Sequence, residues 1–324
     1  WKHLVLGSLF YLLAFLSREN AITFLAIIPL AILAQGPIQW KSFFKSTAVL
    51  PLLGIVTYLI LNYALTSQLG QEKTSGFGVY EENHILGNSF YDTQHFGDKI
   101  ANAFHLILLY VKKFFFPYPL TYYSGYNQVP ALQLSWQVAS GMLLTLTLLI
   151  SALVRFRKNP LVAFGILFFF ISLSVYLHLF GTLSDTMADR FLFIPSLGLS
   201  MLFVGLLVHF LKPFKNVEKP IEKFAKIPIS FRGIVLSVFL LFAVLTFSRN
   251  GVWKDDFTLV STDLPNLENS ARAHYYYASL LNEQLRDGAW NGAKEKDMIA
   301  HYERSMEISD SIYYGRLELA AYYN

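Results

Sequence analysis

Several apolar runs in this chain are long enough to cross a bilayer, and that limits the folds open to it. Crossing about 30 Å of hydrocarbon takes roughly 20 apolar residues. Residues 47–66, 133–154, 161–181 and 191–211 meet that length, and 233–248 is shorter but uncharged. Two further apolar stretches, 4–16 and 21–35, are split by "SREN". Only 15% of the 324 residues are charged, against about a quarter in a soluble domain. The expected fold is all-α: a polytopic helical membrane bundle over residues 1–248.

Basic residues near helix ends mark the cytoplasmic side. Lys41 with Lys45, then Arg155, Arg157 and Lys158, then the stretch from Lys212 to Arg232 form three such clusters. Residues 67–99 instead hold five acids against two bases, and 249–324 hold twelve against eight. This assignment puts 67–99, the "DTMADR" junction, "SREN" and the C-terminal region outside. Parity then requires one of the segments 100–116 and 133–154 not to cross. The shorter, 100–116, carries Lys112 and Lys113 and is expected to lie along the outer interface, its lysines reaching headgroups. The alternative is a true span with a missed partner. The basic stretch 212–232 reads as an inside loop near anionic lipid, so nucleic acid is not needed as a partner.

Beyond Arg249 the pattern changes to that of water-soluble helices. After a connector over 249–268, Ala271, His274, Tyr277, Ala278 and Leu281 fall at helical spacing, and "MIAHYERSMEISD" follows. Ala278 and Ala320 stand at matching positions of a repeat, separated by an insertion at "RDGAWNGA". Residues 269–324 are therefore expected to be tetratricopeptide repeats, one complete and one truncated, with Asp310 where a proline is usual. Such arrays bind extended segments, which implies a polypeptide partner. The chain opens on Trp1 inside an apolar pattern and ends within a helical one, and is expected to be a fragment.

"FLSRENAITFLAIIPLAIL", "YVKKFFFPYPLTYYSGYNQVP", "ADRFLFIPSLGLSMLF" and "SRNGVWKDDFTLVSTDL" occur in this order ahead of the repeats. With them the chain resembles the transmembrane and tetratricopeptide-repeat (TMTC-type) glycosyltransferases, which are similar to the protein O-mannosyltransferases. The resemblance implies a GT-C-like bundle, a polyprenyl-phosphate sugar lipid as donor and an extracytoplasmic, protein acceptor. It also implies a catalytic carboxylate in a first outer loop. No residue here matches that carboxylate, which is expected upstream of Trp1.

Asp185, Asp189 and Arg190 are the only charges between Lys158 and Lys212. Charges inside a membrane bundle usually face a cavity or a partner. An arginine fork suits a lipid phosphate, and Asp189 could orient Arg190, hold an acceptor hydroxyl or help bind a divalent cation. The plain alternative is an interfacial ion pair that anchors the helix. Arg18 and Glu19 pose the same choice, a self-neutralising pair or part of the same donor site. Tyr122, Tyr123 and Asn127 are candidates for stacking on a sugar. Glu81, Glu82, His84, Asp92 and His95 are too dispersed for a metal site, and no metal is assigned. No cysteine, Gly-rich phosphate loop or G-x-S-x-G occurs. Two other readings stay open, a membrane-anchored scaffold without catalysis and a polysaccharide ligase or polymerase. The absence of any N-x-[ST] sequon favours a bacterial inner membrane.

Overall fold

The computed structural model describes residues 2–35, 39–72, 87–91, 93, 95–179, 183, 185–211, 229–286, 288, 291–309 and 313–323. Among them the ordered backbone is helical, with a single isolated antiparallel bridge between Ser124 and Met187.

Four helical stretches are long and apolar enough to cross a membrane: Trp40–Tyr63, Trp136–Arg155, Asp189–Phe210 and Ile229–Val252. With the TMTC-type resemblance they make the chain an integral membrane protein. The first joins α3 (Trp40–Thr47) to α4 (Leu50–Glu72), with Pro51 in the first turn of α4, where its missing N–H costs nothing. Shorter apolar helices precede it, α1 (Lys2–Ser17) and α2 (Phe24–Ala34), joined by a 3-10 turn over Glu19–Thr23.

The run expected to span at 161–181 is shorter than its composition suggests. Helix α7 (Pro160–Leu173) tightens into a 3-10 turn at Ser174–Tyr176 and then ends. His178 follows in the left-handed region at φ 56°, which a continuing helix excludes. Helix α8 (Phe193–Leu211) packs closely against α7. A Cβ on Gly165 would stand 2.7 Å from the Gly198 carbonyl oxygen, so glycine is what lets these backbones approach.

Helix α5 (Phe96–Phe115) is not among the four long apolar stretches. It buries Ala103, Leu106, Ile107 and Tyr110 on one side and crosses α6 (Trp136–Arg155) where Gly141 faces the Phe104 backbone. Lys112 stays exposed, but Lys113 is a correction to the expectation of headgroup contact. It forms an ion pair with Asp189 at 2.7 Å.

Helix α9 (Ile229–Val252) buries no residue within the chain. It leads to α10 (Asp256–Asp263), α11 (Ala271–Arg286), α12 (Gly292–Ile308) and α13 (Tyr313–Tyr323). Helices α11 and α12 form an antiparallel hairpin. Ser305 donates to the Ala271 carbonyl at 2.6 Å, and Ala278, Leu281, Met298 and Tyr302 fill its interior. Ala271, His274, Ala278 and Leu281 are buried as their spacing predicts, whereas Ala320 is exposed. Residues 249–268 pack against the bundle. Leu259, Val260 and Leu267 belong to the same core as Leu106, Phe169 and Phe191 of the membrane bundle.

Candidate functional site

The loop between α5 and α6, carrying "TYYSGYNQVP", is gripped from two sides. The Ser124 N–H donates to the Met187 carbonyl at 2.6 Å, which ties it to the segment before α8. The Tyr122 N–H donates to Asp263 Oδ2 at 2.8 Å, and Ala271 N–H donates to the Tyr126 carbonyl at 3.1 Å. Gln128 completes the grip, donating to the Asn266 carbonyl and accepting from the Asn269 N–H. The membrane bundle and the C-terminal helices therefore meet across this loop.

Asp185 lies at that meeting point, its side chain 6% exposed. Oδ2 accepts from Arg190 at 2.5 Å and Oδ1 accepts from Arg272, in the first turn of α11, at 3.0 Å. Arg190 also donates to the Tyr122 carbonyl at 3.2 Å and lies over the Phe191 ring. Arg272 lies over the Tyr123 ring, 4.7 Å from its centroid. The two arginine side chains remain 45% and 32% exposed, so each keeps donors within reach of a ligand. His178 braces this segment from beneath. Its Nε2 donates to the Thr186 carbonyl at 2.9 Å, and Nδ1 faces Asn88 and the Leu183 N–H at 3.3 Å. Burial pushes its imidazole below the ordinary histidine value.

Asp189 does not orient Arg190, contrary to the expectation from sequence. It accepts from Lys113 Nζ and from the Thr121 N–H at 2.6 Å. Both residues sit in the 3-10 turn Asp189–Leu192, where neighbours project about 120° apart and so face different partners. With Asp185 and Asp189 both engaged by cations and N–H groups, neither offers a free carboxylate to a divalent ion. Among the described residues no group of three histidines or carboxylates stands close enough to hold a metal.

The "SREN" junction reaches this end of the bundle through Asn20. Its Nδ2 donates to the Tyr176 hydroxyl at 2.8 Å, and the Tyr176 ring stacks on Phe191 at 4.4 Å. Arg18 is exposed and forms no ion pair among the described residues, and the side chain of Glu19 lies outside them. Glu81, Glu82, His84 and Asp92 also lie outside, while His95 is exposed immediately before α5. Tyr122 and Tyr123 are not open stacking platforms. Both are buried with their rings edge to face at 4.1 Å, and Arg272 covers Tyr123. Burial raises both phenols, Tyr123 to about 12 against the opposing pull of Arg272, so both stay protonated at neutral pH. Asn127 is exposed at φ 68°, and its N–H donates to Ser89 Oγ.

Sequence reasoning missed Arg272, Lys113 as a site residue, and the pair Arg249–Asp263. Asp263 is 1% exposed, and both its oxygens take the Arg249 fork, at 2.5 and 2.7 Å. The signal available was a lone arginine closing an apolar run and a lone aspartate closing the next helix.

Two curated relatives match this geometry's sequence. The chain is 23% identical over 200 residues to "Protein O-mannosyl-transferase TMTC1" of Mus musculus, covering 59% of this chain and 19% of the relative. It is 25% identical over 199 residues to the Homo sapiens protein of the same name, covering 59% and 21%. The chain is a distant TMTC-type relative. It spans about a fifth of the length of the curated TMTC-type proteins it matches. No family model and no solved structure matches it.

Proposed function

We propose that the chain is the donor-binding part of an integral-membrane glycosyltransferase that uses a sugar carried on a polyprenyl phosphate. One observation carries this reading: Arg190, at the end of the membrane-spanning stretch Asp189–Phe210, is held in place by Asp185 yet remains half-exposed. That is where a lipid phosphate would meet the protein.

In this reaction an acceptor hydroxyl, on a protein outside the cytoplasm, attacks the anomeric carbon of the sugar. The bond from that carbon to the lipid-phosphate oxygen breaks, and its electron pair leaves with the phosphate. A carboxylate that the family resemblance places upstream of Trp1 takes the hydroxyl proton. Arg190 steadies the charge growing on the leaving phosphate, as a preorganised donor does at a developing oxyanion. The helical hairpin, as a tetratricopeptide unit, would hold the polypeptide acceptor. Both the hairpin and the Asp185 junction face away from the cytoplasm of a bacterial inner membrane, with α5 along the outer interface.

The test is Arg190→Lys in the full-length protein, read as sugar transfer from a purified lipid donor at matched protein levels. Lysine keeps the charge facing Asp185 but loses the planar fork. Loss of one charge-assisted bond of about 1.5–3 kcal/mol lowers turnover roughly ten- to a hundred-fold. Transfer at the wild-type rate would leave Asp185–Arg190 as an anchoring ion pair and favour the scaffold reading.

A further inference from the structure

Asp185 holds two guanidiniums with one negative charge. Its Oδ2 is taken by Arg190 at 2.5 Å and its Oδ1 by Arg272 at 3.0 Å, so the three groups carry an excess of one positive charge. Neither arginine has a second carboxylate among the described residues. A guanidinium offers five N–H donors in a fixed plane. Arg190 commits donors to Asp185 and to the Tyr122 carbonyl, and Arg272 commits Nη1 to Asp185. One face of each plane is covered, by Phe191 and by Tyr123, which leaves the remaining donors along the edges.

We propose that Arg190 and Arg272 form one clamp for a single phosphate group, so that the C-terminal helical unit completes the donor site of the membrane bundle. The proposal rests on the donor-site reading of Arg190 and adds a residue from a different part of the chain. A tetrahedral phosphate has oxygens enough to take both forks at once, and its charge offsets the excess that Asp185 leaves. Asp185 acts as the spacer that keeps two like charges side by side before the ligand arrives. Arg272 is preorganised for this, because the backbone on either side of its helix start is fixed to the opposite loop. Ala271 N–H reaches the Tyr126 carbonyl at 3.1 Å, and Gln128 holds Asn266 and Asn269. A donor fixed in advance gives up less freedom on binding than one that must be ordered.

The experiment is equilibrium binding of a polyprenyl phosphate to the purified full chain in phosphatidylcholine nanodiscs, with inorganic phosphate as competitor. Arg190→Gln and Arg272→Gln are each expected to weaken binding about ten- to a hundred-fold, and the double variant by less than the product of the two. Arg272→Lys, which keeps the charge, is expected to fall between wild type and Arg272→Gln, and it decides the case if the glutamine variant does not fold. Gln128→Ala, which loosens the docking without removing a charge, is expected to weaken binding by clearly less than Arg272→Gln does. If Arg190→Gln weakens binding and both Arg272 variants do not, the clamp fails while the donor-site reading stands. If neither position matters, both fall. If Gln128→Ala loses as much as Arg272→Gln, Arg272 acts only through docking and the clamp fails. Inorganic phosphate should compete only in large excess. Competition at equal concentration would show that the lipid chain adds nothing and overturn the lipid as the source of the phosphate.

Discussion

Asn20 donates from Nδ2 to the Tyr176 hydroxyl at 2.8 Å, although 156 residues separate them in the chain. Asn20 is 8% exposed and Tyr176 6%, so the bond is shielded from water and each group depends on the other. Asn20→Ala leaves a buried hydroxyl without its donor. The expected cost is about 1–3 kcal/mol, seen as a lower midpoint of thermal unfolding in detergent. An unchanged midpoint would show that Tyr176 finds another partner.

Helices α7 and α8 predict a sharper contrast. Gly165→Ala would put a methyl group 2.7 Å from the Gly198 carbonyl oxygen and 2.9 Å from Met201 Cβ. Backbone cannot step aside cheaply, and overpacking of this kind costs about 1–3 kcal/mol. On α9 a Cβ at Gly233 meets nothing within 4 Å, so Gly233→Ala should be neutral or slightly stabilising. Equal effects in the two variants would mean that the close helix crossing is not formed in the bilayer.

Asp263 is buried, and breaking such a pair leaves a charge without its counterpart. Asp263→Ala should destabilise by about 3–5 kcal/mol. Replacing both partners by neutral groups, as in Asp263→Asn with Arg249→Gln, should recover part of the loss, because the hydrogen bonds survive without the charges. A double variant worse than Asp263→Ala would contradict this account.

The hairpin carries a pH dependence of known sign. His274 Nδ1 stands 2.7 Å from His301 Nδ1, and His274 Nε2 donates to the Glu268 carbonyl. One proton between the facing nitrogens serves both rings, so two imidazolium ions cannot share the contact. Burial holds His274 below the ordinary histidine value, and burial followed by the neighbouring His274 does the same for His301. The unfolded chain protonates them near about 6.5. Their stabilisation is therefore complete above that pH and is lost as pH falls below it through the lower folded values. Thermal unfolding followed from pH 8 to pH 5 should show the midpoint dropping below about pH 6.5, and His301→Gln should flatten the drop. A midpoint independent of pH in the wild type would rule the pair out as its cause.

Topology gives the last prediction. Cysteines placed at Ser17 and Asn291 should both react with an impermeant thiol reagent on intact cells, since both ends are read as extracytoplasmic. Labelling only after lysis would reverse the orientation.

The membrane helices were legible because length and apolarity alone decide them. The stop in α7 was not, since "SLSVYLHLF" continues the apolar run. What ends the helix is His178, whose ring is claimed by Thr186, Asn88 and Leu183, contacts that exist only after folding. The charges at the "DTMADR" junction were conspicuous in so apolar a chain, yet their partners were not. Lys113 lies 76 positions before Asp189 and Arg272 lies 87 after Asp185, and no local spacing rule reaches that far. Arg272 in particular looks in sequence like one more solvated charge on a soluble helix. The hairpin interior was readable because its contacts are local and follow helical spacing.

Helix α9 buries no residue within the chain, and its C-terminal turn is fixed by Arg249 to Asp263. The same aspartate carries the backbone of Tyr122, whose carbonyl in turn receives Arg190. Mechanically this is a lever with its fulcrum at one carboxylate. Three hydrogen-bonded links, Arg249 to Asp263, Asp263 to Tyr122 and Tyr122 to Arg190, thus join α9 to the guanidinium at the head of α8. Through that one carboxylate, the position of α9 and the position of Arg190 are set together.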